Sequence, residues 1–528
     1  MNDLVSRLAQ KYPAKETLTE EESESALDLV IKNGLTVQGM VTFTTGIFLV
    51  DFALRLGGTS FYIGLLSAIR VFSQVLQVPS VLLVEKFRIR RAISVYSAFI
   101  SRLMVLVIAF IPFLPSKSFG LQLLFAALTV KAVFAAIVGC SWNSWMRDLV
   151  PGDRLGVFFG KRLFMTTLLG MILGLVAGMF IDQWGKAFPG FELHGYSLLY
   201  IVGFASGMLG VYYMTLTPEP QMAPPEAHES FFKTIQRPVQ DENFKKLLTF
   251  SMWWNFAVNL AAPFFTVYLL KRLGLPVFLV VALGVLSQMV NLVFYRVWGG
   301  FADRFGNKAV LAVSGSLYAV TVLFWTFTTF PQKHFLTIPL LFLIHALLGI
   351  SSAGVTLASG NIGLKLAPQG QATPYLAALN FVNSLSAGLA PLLGGVFAGF
   401  LEQWELSWTL ELKSPEHDWH IPVMNLSQLD FLFFFSFLFG IFALTRLRRV
   451  EDTGHVKGPI DIREVISEAM VEMKSMSTMG GLRYMAHFPL NLMFSIFKLK
   501  LPKGNESGGN NLSGPGKNRD LSARPPHT

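Results

Sequence analysis

Apolar runs long enough to cross a bilayer, which takes about 20 residues, recur along the chain with short charged stretches between them. They lie at 34–54, 61–84, 92–114, 119–142, 158–181 and 196–216, and then at 247–270, 277–298, 309–330, 336–364, 375–401 and 429–445. Between the two sets stand Pro218, Pro220, Pro224 and Pro225, followed by Lys233, Arg237, Lys245 and Lys246, which is the composition of a linker and not of a helix. The pattern predicts an all-α integral membrane protein with twelve transmembrane helices in two six-helix bundles. Its segments are an N-terminal stretch (1–30), a first bundle (31–217), a linker (218–246), a second bundle (247–447), an amphipathic tail (448–502) and a disordered end (503–528). The tail keeps a helical apolar stripe through Ile462, Val465, Ile466, Ala469, Met470 and Met473. The end is rich in Gly, Asn, Ser and Pro. The stretch between spans eleven and twelve is expected to be an outer loop carrying Lys413.

The two sets resemble each other at a spacing of about 217 residues. Glu85-Lys86-Phe87 answers Asp303-Arg304-Phe305, and Pro151 answers Pro368. Polar positions inside the spans repeat too: Gln38 with Asn255, Thr42 with Asn259, Arg70 with Gln288. Parallel repeats related by an axis along the membrane normal place a substrate site between them, near the midplane.

Composition agrees with a bilayer. With 52% hydrophobic and 14% charged residues the chain is too apolar for a water-soluble globule. The single Cys140 excludes an internal disulfide framework. A net charge of +10 raises the question of nucleic acid, but the cations sit in short loops between spans and make no basic domain, so no nucleic-acid partner is expected. Lys86, Arg88, Arg90, Arg91, Arg147, Arg154, Lys161, Arg162, Lys233, Arg237, Lys245, Lys246, Arg304, Lys308 and Lys365 fall on one side and Arg55, Lys117, Lys186, Lys271, Arg272, Lys333 and Lys413 on the other. The cation excess on the first side predicts that both termini are cytoplasmic in a plasma (inner) membrane. Glu20, Glu21, Glu22 and Glu24 near the start argue against a cleavable signal.

The loop between spans eight and nine reads Gly299-Gly300-Phe301-Ala302-Asp303-Arg304-Phe305-Gly306-Asn307-Lys308. It resembles the G-x-x-x-D-R-x-G-R/K-R/K signature of the major facilitator superfamily, with Asn307 the one departure. The matching first-half loop is degenerate, with Val81 and Arg88 where glycines belong. Asp148-Leu149-Val150-Pro151 and Gly388-Leu389-Ala390-Pro391 also fit that family. The resemblance implies a secondary transporter working by alternating access, with Glu85, Arg147, Asp148, Asp303 and Arg304 as gating residues.

Polar side chains inside spans mark either a wet chamber or glue between helices. Candidates to line a substrate cavity are Gln38, Thr42, Arg70, Gln74, Lys131, Asn255, Asn259, Gln288, Asn291, His345, Asn380 and Asn383. In span two Arg70, Ser73, Gln74 and Gln77 follow i, i+3, i+4, i+7 spacing, one face of a helix. Arg70, Arg102 and Lys131 lie near the bilayer centre, where each costs about 2.5 to 3.5 kcal/mol. Asp51, close to the outer end of span one, is the one acid placed within the first-half spans, so the balance favours an anion. The resemblance puts span three at the periphery and favours Arg70 and Lys131 over Arg102. Asp51 is either a coupling carboxylate or a helix-end partner of Arg55, and His345 either a proton carrier or a packing residue. Gly170, Gly174 and Gly178 suit close helix contact.

The expected function is secondary active transport of a small solute, an organic anion favoured, with a proton or counter-ion as coupling partner. One alternative is proton-coupled efflux of amphipathic compounds, suggested by Trp253, Trp254 and Phe256. Another is a transporter-like sensor or scaffold acting through its tail. The sequence has no phosphate-binding G-x-x-x-x-G-K-[ST] loop and no metal-spaced cluster, so neither an enzyme nor a cofactor is expected.

Overall fold

Helix start signals, helix breaks and the apolar runs together account for the observed elements. A computed structural model describes residues 10, 12–16, 18–152, 154–222, 238–329, 334–368, 372–413 and 418–452. Span one is α1 (Glu20–Thr44) followed by α2 (Gly46–Arg55). Span two is α3 (Ser60–Phe72), a 3-10 turn (Ser73–Leu76) and α4 (Gln77–Phe87). Spans three to six are α5 (Arg90–Ala109), α6 (Lys117–Leu149), α7 (Leu155–Ala187) and α8 (Glu192–Leu216). Spans seven to twelve are α9 (Glu242–Val267), α10 (Val277–Phe305), α11 (Asn307–Phe324), α12 (Thr337–Leu366), α13 (Ala372–Phe400) and α14 (Asp430–Leu447). Among the described residues ten helices are long and apolar enough to cross a membrane, and the bent pair of span two makes an eleventh crossing. The remaining long helix, α9, falls short of that apolarity, its 26 residues including Asn255 and Asn259. The predicted tail stripe and the end from 503 lie outside the described residues.

Local chemistry explains where helices begin. Thr19 and Glu22 form a reciprocal capping box ahead of α1, Ser116 accepts the Phe119 N–H, and Asp241 accepts those of Asn243 and Phe244. Span one breaks where Gly46 takes φ +61°, a left-handed conformation that glycine enters without steric cost. Thr44 and Thr45 turn their hydroxyls back on the carbonyls of Met40 and Val41 at 2.8 and 2.7 Å, so polar backbone ahead of the break stays satisfied.

Within the first bundle span one packs on six and five, and three on four and six. Within the second, span seven packs on twelve and eleven, and nine on ten and twelve. The same pairing thus recurs six helices on. The bundles meet through spans two with eleven and five with eight.

Two features differ from expectation. The stretch between spans eleven and twelve is a hairpin, β3 (Glu405–Lys413) antiparallel to β4 (Asp418–Ser427) with an irregularity at Trp408/Thr409. The alternation of Leu406, Trp408, Leu410 and Leu412 with Glu405, Ser407, Thr409 and Glu411 is the strand period. And the polar stripe of span two does not run along one regular α-helix, because the 3-10 turn Ser73–Leu76 interrupts it; the 44° bend comes just beyond, between Ser60–Leu76 and Pro79–Phe87. Ser73 is buried there, donating to the Arg70 carbonyl at 2.8 Å, while Arg70 and Gln74 are exposed. A short parallel pair, β1 (Ala14–Lys15) with β2 (Glu219–Pro220), ties the N-terminal segment to the start of the linker.

Candidate functional site

The face carrying the β3/β4 hairpin and the face carrying the linker differ in how the bundles meet. On the hairpin side they touch closely. A Cβ added at Gly178 of span five would stand 3.0 Å from the Phe278 Cα of span eight, and one at Gly395 of span eleven 2.9 Å from the Phe61 Cα of span two. Asp182 of span five accepts the N–H groups of Val277 and Phe278 at 2.9 and 2.8 Å, so the first bundle caps a helix of the second. Pro276, the residue at that helix start, supplies no side-chain cap of its own. One apolar cluster crosses both bundles here, including Ala177 and Ile181 of span five and Val277, Val280 and Val281 of span eight. Nearer the linker side, Leu82 of span two, Met289 of span eight and Leu385 of span eleven are exposed.

Several predicted cavity amides spend their bonds inside one bundle. Gln38 donates to Thr42 at 3.2 Å and lies against Gly170, where a Cβ would come within 2.6 Å of its Nε2. Its repeat counterpart Asn255 donates to Asn383 at 2.9 Å, joining spans seven and eleven, and Asn259 donates to the Asn255 carbonyl. The span pairs one–five and seven–eleven are equivalent, so the repeated amides do the same packing job. Asn291 donates to Ser352 at 2.9 Å across spans eight and ten. His345 is buried, with Nδ1 2.8 Å from the Leu341 carbonyl and its ring edge-on to Trp325 at 5.5 Å, which puts it in the core of the second bundle and not on an opening. In contrast Arg70, Gln74, Gln288 and Asn380 remain exposed, on the three spans that carry the bundle-to-bundle contacts other than span five. Trp253 stacks on Phe439 and meets Phe442 edge-on, and Trp254 is buried, so these rings serve packing.

The cations of the first bundle divide in two. Arg70 is exposed on span two. Arg102 and Lys131 turn into the bundle. Lys131 Nζ reaches the Thr44 hydroxyl at 3.4 Å, beside the break in span one, and Ser101 donates to the Lys131 carbonyl at 3.2 Å. Arg102 lies over Gly207 and beside Met40, donates to the Ala98 carbonyl at 3.3 Å, and keeps a buried Nε without a hydrogen-bond partner. Among the described residues none of the three cations forms an ion pair. Asp51 is buried against Arg55 at 2.8 Å and the Tyr196 hydroxyl. Arg272, 217 residues after Arg55, likewise holds the buried Asp430 at 3.0 Å. The arginine thus repeats at the hairpin-side ends of spans one and seven, while the acid it holds comes from the same span in the first bundle and from span twelve in the second.

Sequence reasoning missed the acids Asp182, Glu219, Asp430 and Asp452. Asp182 sits one residue beyond the predicted end of span five, and its lone charge just ahead of a glycine- and aromatic-rich turn was the available signal. Glu219 follows the sixth span. It accepts the backbone N–H groups of Arg90 and Arg91 at 2.8 and 3.0 Å, and Arg90 Nε at 3.2 Å. The Arg90 side chain is fully buried and also donates to Asp148, a predicted gating residue, and to the Ser144 carbonyl. Asp452, after the twelfth span, repeats the device by accepting the Lys308 N–H at 3.0 Å and pairing with Lys365 at 3.0 Å. Arg147, Asp303 and Arg304 are exposed at the linker-side ends of spans four and eight, and Glu85 is half-buried at that end of span two.

A family model of the Major Facilitator Superfamily matches residues 34–391. No curated protein matches the chain by sequence. Among solved structures, a variant of the nucleoside transporter NupG superimposes with a TM-score of 0.60 at 14% identity, covering 81% of this chain and 100% of its own. A bacterial homologue of the iron transporter ferroportin in an inward-facing state gives 0.56 at 14%, covering 82% and 100%. A bacterial homologue of the human lysosomal transporter Spinster, inward-facing and unoccupied, gives 0.52 at 16%, covering 73% and 84%. At these identities the likeness is one of fold.

Proposed function

The chain belongs to the major facilitator superfamily, a family of membrane transporters and not of enzymes, and on that footing we propose that it carries a small organic anion by alternating access. The observation that supports the anion is the charge balance of the first bundle. Arg70, Arg102 and Lys131 stand at membrane depth without a carboxylate among the described residues, while Asp51 and Asp182 are already engaged by Arg55 and by the N–H groups of span eight. Unmatched positive charge in a low-dielectric wall concentrates anions. Arg70 is the substrate contact, since it is the exposed one of the three and lies on span two, where the bundles meet. Gln74, Gln288 and Asn380 supply polar contacts on the same opening, and Lys131 with Arg102 adds field from behind. Packing of Trp253 and Trp254 removes the observation that favoured amphipathic efflux.

The form described here is closed on the hairpin side and exposes polar side chains toward the linker side. That side is cytoplasmic by the excess of cations in its loops, in the plasma membrane, with both termini inside. Substrate binding biases the two states by its differential affinity for them. The test is uptake into proteoliposomes with a panel of organic anions, with and without a pH gradient. The reading requires that at least one anion be transported and that Arg70→Gln abolish most of that uptake. If Arg70→Gln transports every anion normally, or if only neutral or cationic solutes move, the reading fails.

A further inference from the structure

We propose that the β3/β4 hairpin lies on the membrane surface, with its tryptophan-bearing face seated in the headgroup region and its glutamates turned to water. The register places Leu406 opposite Leu426, Trp408 opposite Met424, Leu410 opposite Ile421 and Leu412 opposite Trp419. Directly paired residues share a face, so Leu406, Trp408, Leu410, Trp419 and Leu426 fall on one side of the ribbon. The other side carries Glu405, Ser407, Thr409 and Glu411. An isolated two-stranded hairpin is marginal in water and needs apolar support on one face. Among the described residues the bundle supplies that support at the base. Leu426 is buried, and Arg272 donates to the Ser427 carbonyl and hydroxyl at 2.7 and 2.9 Å. Farther out, Leu406, Trp408, Leu410 and Trp419 are 50%, 59%, 49% and 57% exposed.

Three observations point to lipid as the occupant. The ribbon springs from the membrane surface at both ends, since β3 follows the helical turn Leu401–Gln403 that ends span eleven, and β4 ends three residues before Asp430 opens span twelve. Its apolar face continues an exposed apolar surface of the bundle: Val396, Phe397 and Phe400 are exposed at the end of span eleven, and the Phe400 ring lies 5.8 Å from that of Trp404, which leads into β3. And tryptophan is the side chain that gathers at the bilayer interface, where its ring is buried and its N–H stays wet. A ribbon so anchored would brace the hairpin-side ends of spans eleven and twelve against the bilayer.

The experiment uses the full chain in liposomes with spin labels at Leu410→Cys or Thr409→Cys, each on a Cys140→Ser background. Collision with oxygen reports lipid, and collision with a water-soluble nickel chelate reports water. The proposal expects the oxygen-to-nickel ratio at 410 to exceed that at 409 several-fold. Equal, water-like ratios at both positions overturn it, and so do equal, lipid-like ratios, which mean insertion with no preferred face. A label at 410 shielded from both probes overturns it as well and points to protein, such as a second copy, on that face. Should the Cys140→Ser chain fail to insert, the otherwise native chain carrying Trp408→Thr and Trp419→Thr serves instead. Its fluorescence must then lose part of the quenching that brominated lipids impose on the parent, and unchanged quenching overturns the proposal.

Discussion

The carboxylate of Asp182 accepts the backbone N–H of Phe278 at 2.8 Å, and that of Val277 beside it, although the residues belong to different bundles. A helix N-terminus carries partial positive charge, so this contact favours the state closed on the hairpin side and is lost when that side opens. Asp182→Asn keeps the shape and removes the charge, weakening closure by about 1 kcal/mol. The ratio of closed to open molecules should fall roughly fivefold, read as faster reaction of a cysteine at Val281 with a reagent added from the hairpin side. An unchanged reaction rate refutes the latch.

Gly178 tests the same closure sterically. Its missing side chain leaves 3.0 Å between an added Cβ and the Phe278 Cα, and backbone cannot rotate away as a side chain can. Gly178→Val should open the hairpin side in the cysteine assay and depress transport. Gly284→Ala, where nothing stands within 4 Å of an added Cβ, should leave both near the parent values.

Glu219 and Asp452 cap the third helix of their own bundle, but in different surroundings. Arg90 beneath Glu219 is fully buried, whereas Lys365 beside Asp452 is 37% exposed. Glu219→Ala strands part of a buried cation and should destabilise the protein by about 3 kcal/mol. Asp452→Ala should cost nearer 1 kcal/mol, because water screens and solvates the partner it leaves. Thermal unfolding in detergent measures both, and equal losses would contradict the burial argument.

His345 gives its Nδ1 to the Leu341 carbonyl and its ring to Trp325, so its role is packing. His345→Gln should lower thermal stability by about 1 to 2 kcal/mol and leave the pH profile of uptake where it was. A displaced profile would return His345 to the list of proton carriers.

What the sequence determined by itself is the membrane plan. Twelve apolar runs, the break after Pro218, the repeat joining Gln38 to Asn255 and the loop around Asp303 were all legible. Hydrocarbon admits only segments that satisfy their own backbone, so length and hydropathy suffice to find them. The strand alternation from Glu405 to Lys413 was equally present in the letters, but a two-stranded ribbon is a weak signal beside helices of 18 residues or more. The tertiary structure alone decided what each polar side chain touches. Position along a helix sets the direction of Gln38 or Lys131 to within a turn, but not whether water, Gly170 or Thr44 waits there. Asp182 meets its partners 95 and 96 residues away, and such a pairing exists only once the two bundles have been brought together.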